Sequence, residues 1–178
     1  DVEMTRCATN TNTAAIERIM KRADGRKLRP DEKAKLNGPP VLLAHPWTPD
    51  VDPTGWWMSE KLDGVRAFGD GKNFISRQGN TYHAPDWFKQ GLPDYPLDGE
   101  LWIDRQKFQE TLSVVRSYDA GDAAWRRVTY MVFDLPAMRH TVFEDRMKAL
   151  RKMHDDWEER GSAAYAHILD QVKCKDIE

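Results

Sequence analysis

The sequence predicts an α+β fold built from antiparallel sheets with flanking helices. Two features carry that reading. Beyond Gly38-Pro39-Pro40 the apolar residues fall into short runs separated by turn residues, the pattern of sheet. One later segment, Phe143 to Glu159, repeats its apolar residues with helical period instead: Phe143, Met147, Leu150, Met153 and Trp157. The 178 residues suffice for one domain with a real core, and 40% hydrophobic against 31% charged is ordinary for a globular chain.

Residues 1 to about 12 are polar and rich in Thr and Asn, and are expected as a loose arm. Ala14 to Ala23 reads as a short helix stopped by Gly25, and a second begins near Pro30 with Asp31 and Glu32 in its first turn. Arg18 to Lys35 is rich in cations, either a solvated helix face or a phosphate contact. Val41 to Ala44 and Trp56 to Glu60 are expected as strands. Val65 to Phe68 and Phe74 to Ser76 form a hairpin around Gly69-Asp70-Gly71-Lys72. Leu97 to Ile103 contains a strand, and Gln106 to Ser117 a helix with Phe108, Leu112 and Val115 on one face. Val128 to Leu135 is a strongly apolar, central strand, and His167 to Val172 a last one.

Charge and cysteine content narrow the function. Lys and Arg total 27 against 29 acids, a net charge of -2, which argues against coating nucleic acid by bulk charge but leaves room for a local phosphate grip. Seven Trp serve cores and base stacking alike. Cys7 and Cys174 lie near opposite ends and make no metal-ligand spacing. No apolar run approaches the roughly 20 residues that span a membrane, and no signal peptide is visible.

The chemistry concentrates in Ser59-Glu60-Lys61-Leu62-Asp63-Gly64-Val65-Arg66-Ala67. A lysine amine is a nucleophile only when deprotonated, and nearby cations, a metal or desolvation bring its pKa down. Gly64 lets backbone approach a phosphate closely, and Arg66 can hold phosphate or sugar oxygens. Three companions follow: Ser76-Arg77-Gln78-Gly79, Leu97-Asp98-Gly99-Glu100-Leu101, and Tyr130-Met131-Val132-Phe133-Asp134-Leu135. Each residue also has a bland reading. Lys61 is then a surface lysine, Glu100 and Asp134 turn acids, Arg77 a salt-bridge partner and Phe133 core. The companion segments favour a site. His83, Trp87 and Trp102 read as packing residues.

In this order, the four segments resemble motifs I, Ia, III and IIIa of the lysine nucleotidyltransferases: DNA ligases, RNA ligases and capping enzymes. With His83-Ala84-Pro85, Trp87-Phe88 and Trp102 between them, they resemble the minimal bacterial ATP-dependent DNA ligases of the Lig E type from about Val41 onward. The resemblance implies an ATP-grasp-like nucleotidyltransferase domain. It implies that Lys61 attacks the ATP α-phosphate to form lysyl-AMP. The Glu60 backbone would read the adenine and Phe133 would stack on it. Arg66 and Glu100 would hold ribose and phosphate, and Arg77 would bind the 5′-phosphate of a nicked duplex. Asp63 and Asp134 would brace the site, with Mg²⁺ near Glu100 and Asp134.

The family also uses a Glu-Gly pair (motif IV), a K-x-K (motif V) and an OB domain. No Glu-Gly follows Phe133, and Lys173-Cys174-Lys175 reads as a decoy for motif V. The expectation is therefore an extension over residues 1–40 and a C-terminally incomplete adenylation domain over 41–178. No OB domain is expected within these residues, and the segment carrying motifs IV and V is expected on another chain or absent. Full nick sealing by these residues alone is not expected. The alternatives are a remnant that binds nucleotide or DNA without turnover, or an RNA ligase or capping-type transferase. Compartment stays open; many Lig E proteins are periplasmic.

Overall fold

A computed structural model describes residues 2–5 (backbone only), 38–43 and 47–176. The helices expected at Ala14 to Ala23 and near Pro30, and the basic stretch across them, lie outside the described residues.

Two sheets organise the described residues. The smaller has order β1-β2-β9, from Val2–Thr5 (β1), Trp57–Glu60 (β2) and Val172–Lys173 (β9). The larger has order β5-β4-β3-β6-β7-β8. Its strands are Val65–Gly69 (β3), Phe74–Ile75 (β4), Thr81–Tyr82 (β5), Leu97–Trp102 (β6), Thr129–Asp134 (β7) and Ala166–Ile168 (β8). Among the described residues all pairings are antiparallel except β7 with β8, which run parallel. The α+β class stands.

Three sequence expectations change. Val2–Thr5 is not a loose arm but pairs with β2 along its whole length, Val2 opposite Glu60. Val41 to Leu43 is not a strand: the Val41 amide turns back to the Pro39 carbonyl, and the Leu42 carbonyl accepts from the Arg66 guanidinium. Pro39 and Pro40 bring no N–H to a ladder, so this stretch is held by single contacts. The strand expected over His167 to Val172 is split. Its start, β8, pairs with β7, whereas Val172 turns away to pair with Met58 in the smaller sheet.

Helices cover one face of the larger sheet. They are Asp86–Lys89 (α1), Phe108–Arg116 (α2), Gly121–Trp125 (α3) and Phe143–Arg160 (α4). The expected stripe of α4 is buried at Phe143, Met147, Leu150 and Trp157, and Gly161 ends the helix at φ 59°. These side chains join Val65, Ala67, Leu97, Leu101, Tyr130 and Val132 in one core. Gly99 is needed there, because a Cβ would meet the Met131 carbonyl at 2.5 Å and the Tyr130 ring at 2.7 Å. Tyr130 crosses the sheet to donate its hydroxyl to the Ala67 carbonyl. Trp57 links the smaller sheet to α4, packing edge-on against Phe143 and donating to Glu144.

Candidate active site

Lys61 lies in the short crossing from β2 to β3, where the chain leaves one sheet for the other. Its side chain is exposed, while Leu62 behind it is buried. The crossing is fastened at Gly64, whose amide donates to Glu100 Oε1 at 2.8 Å. Only glycine fits: a Cβ at 64 would stand 2.6 Å from the Leu101 carbonyl and 2.9 Å from Glu100 Cγ. Close approach to β6, rather than to a phosphate, is what requires Gly64 here. The tie holds Lys61 within three residues of Glu100's anchor point.

Beside this crossing a cleft of about 480 Å³ opens between the sheets. Glu60 and Leu62, the neighbours of Lys61, line it with Trp102, Met131, Ile168 and Leu169. Its size and mostly apolar wall suit a small organic ligand, for which about 300–1,000 Å³ is usual. The Trp102 indole N–H is buried without a hydrogen-bond partner among the described residues, an uncompensated donor in that wall. Glu60 presents its backbone on β2, since its carboxylate is gripped by both Nε and a terminal nitrogen of Arg105, at 2.7 and 2.8 Å.

Next to the cleft the sheet buries charge. Arg66 donates from Nε and a terminal nitrogen to Asp98 at 2.9 and 2.6 Å, and its guanidinium lies 4.7 Å over the Phe133 ring. Asp98 is wholly buried; burial pushes its pKa up to about 6, against the pull of the Arg66 charge. Phe133 is the extra residue of a β-bulge: Gly99 faces Val132 and Asp98 faces Asp134, leaving Phe133 unpaired in register. The bulge turns its ring to Arg66, so one ring face is taken by a cation and Phe133 is not part of the cleft wall.

The expected roles of the acids divide. Glu100 stands at the crossing, and Asp63 is exposed within it. Asp134, expected to brace the site or stand near a metal, is the anion of a buried ion pair with Arg146 at 2.6 Å and also accepts from the Leu135 amide. Arg77 sits away from the cleft, on the loop joining β4 to β5 near the opposite edge of the sheet. The buried Ser76 hydroxyl accepts from the Gln78 and Asn80 amides, shaping a tight turn that leaves Arg77 exposed. Lys173, of the Lys173-Cys174-Lys175 segment, lies over Trp57 near Glu144.

Asp98, Arg146, Arg105 and the Leu42 carbonyl escaped the sequence reading. Asp98 alone had a signal, as the acid of Asp98-Gly99-Glu100. Arg146 was hidden as one polar residue among many on α4. Among the described residues, the one grouping of three His or acid ligand atoms within 4.8 Å is His154, Asp155 and Glu158, on α4 and outside the cleft wall.

A lysine crossing is pinned to a β6 carboxylate beside an inter-sheet cleft, and the α+β frame that carries it matches a DNA ligase nucleotidyltransferase-like fold. A DNA ligase of Haemophilus influenzae (strain Rd) is 36% identical over 124 residues, 68% of this chain and 43% of the relative. A structure solved in a structure-function study of DNA binding by Lig E DNA ligases superposes with a TM-score of 0.61 at 31% identity. That match covers 72% of this chain and 48% of the other. No family model matches. In particular, then, this is a DNA ligase-like domain resembling Lig E, spanning less than half the length of each of these two relatives.

Proposed function

We propose that this chain carries the nucleotidyl-transfer chemistry of an ATP-dependent DNA ligase, with Lys61 as nucleophile. The supporting observation is the Gly64–Glu100 hydrogen bond, which fastens the lysine crossing beside the cleft. The deprotonated Lys61 amine attacks the α-phosphorus of ATP. A P–N bond forms, the α–β anhydride bond breaks, and pyrophosphate departs. The adenylate then passes to the 5′-phosphate of a nick, freeing the lysine, and the 3′-hydroxyl displaces AMP as the phosphodiester closes. Each step is an in-line displacement, so positioning and charge stabilisation are the protein's task.

The residues divide that task. Leu62, Met131 and Ile168 offer apolar wall to a base, the Glu60 backbone offers a polar edge, and Glu100 anchors the crossing that carries Lys61. Arg66 is an oriented cation, fixed by Asp98 and the Leu42 carbonyl. Arg77, exposed on the β4–β5 loop away from the cleft, is a cation for the DNA backbone beside the nick rather than for the reacting phosphate at Lys61. Magnesium, when bound, supplies charge that neutralises the triphosphate and the leaving pyrophosphate. Glu100, whose carboxylate stands at the crossing, would hold such an ion, which takes one or two carboxylates and fills its other positions with phosphate and water. Asp134, held by Arg146, does not fit.

The test is direct. The protein is mixed with α-labelled ATP and Mg²⁺, denatured, and examined for acid-labile label on the chain. Label is expected on the wild type and none on Lys61→Ala. Label that survives the substitution removes Lys61 from its role.

A further inference from the structure

Tyr118 is 81% exposed, yet its ring is not loose. It stacks on His83 with centroids 3.6 Å apart and planes 25° from parallel. Its backbone is set by a turn in which the Ser117 hydroxyl accepts from the Asp119 amide. The His83 amide donates to the Val115 carbonyl, locking the end of β5 to the end of α2. Two separate constraints therefore hold an aromatic face outward, where an unconstrained tyrosine would lose entropy on contact.

Cations flank this ring. Arg116 ends α2 two residues before it, and Arg77 lies at the other end of β5. Both are exposed and neither forms an ion pair with another described residue. Asn80 to His83 spans about 10 Å at strand rise, on the order of three nucleotides of one DNA strand. A pre-ordered aromatic face between exposed arginines is the combination that grips nucleic acid: cations for phosphates, a ring for a base or sugar.

We infer that the Tyr118–His83 stack is a DNA-contact platform, taking a base or sugar of the strand beside the nick while Arg77 and Arg116 hold its phosphates. This rests on the proposed ligase reading and extends its DNA surface to the β5–α2 edge.

The 178-residue chain is titrated with a fluorescent nicked duplex across a range of salt. Tyr118→Ala is expected to weaken binding about tenfold with an unchanged salt slope, and Tyr118→Phe to bind like wild type. Arg116→Ala is expected to reduce the slope of log affinity against log salt by about one. Circular dichroism checks that each variant is folded. Tyr118→Ala binding within twofold of wild type, or a wild type that does not bind the duplex, overturns the inference. Tyr118→Phe as weak as Tyr118→Ala overturns it too, because the hydroxyl and not the ring would then carry the contact. Lysyl-AMP formation by the wild type, read without DNA, reports on the ligase reading separately.

Discussion

Arg66 closes on Asp98 through two hydrogen bonds, and the carboxylate it holds has no exposed surface. Directly across the sheet from Asp98 stands Asp134, which has its own arginine, Arg146. Two acids facing each other between β6 and β7 each require a cation, since like charges so placed repel. The guanidinium over Phe133 is thus held by the sheet interior before any ligand arrives.

Asp98 should reveal itself in the pH dependence of stability. Burial raises its folded pKa to about 6, above the roughly 3.9 of an unfolded aspartate. The folded state then holds the proton more tightly, so this group's contribution is full below pH about 4 and declines as pH rises through about 6. The unfolding free energy of wild type minus that of Asp98→Asn should fall between pH 4 and pH 7, measured by denaturant titration with Trp fluorescence. A rising difference means that the Arg66 attraction outweighs burial.

Gly64→Ala should separate folding from chemistry. The added Cβ collides with the Leu101 carbonyl and with Glu100, so the crossing must move off β6. Stability should fall by about 1–3 kcal/mol. Lysyl-AMP formation by the folded fraction should drop on the order of a hundredfold, the effect of displacing a reacting group by about 1 Å. Retention of wild-type rates would show that the contact does not position Lys61.

Asp134→Ala should act on stability and leave the metal dependence alone. It strands Arg146 in the interior, at a cost of about 3–5 kcal/mol. The Mg²⁺ concentration that gives half-maximal adenylation should stay at the wild-type value in protein that remains folded. A severalfold rise would return Asp134 to the metal.

Arg105→Ala should barely alter stability, because its pair with Glu60 is solvent-exposed and is screened by water and salt. Leu150→Ala, fully buried on α4, should cost about 2–5 kcal/mol. Thermal or denaturant unfolding of the two variants checks the contrast.

Much of the frame was legible because its signals are local. The α4 stripe repeats with helical period and is buried where expected, apart from the half-buried Met153. The β3–β4 hairpin follows from its turn residues, and β6 and β7 from short apolar runs. Among the described residues β1, β5, α1, α3 and the 3₁₀ turn Pro136–Met138 were missed, none longer than five residues. Segments that short have too few residues to show a period, and neighbours decide their form. β1 exists by pairing with β2, fifty residues and more away.

What the sequence settled alone was a set of chemical groups and their order along the chain, Lys61, Arg66, Glu100 and Asp134, on an α+β frame. Those follow from side-chain identity and from periods of two and 3.6 residues, which need no tertiary knowledge. Only the folded chain decided which groups are committed. Asp134 went to Arg146, Asp98 took Arg66, and Phe133 was turned by a bulge to meet a cation. A buried charge must find a counter-charge in space, and the partner that answers it has no fixed place in the sequence.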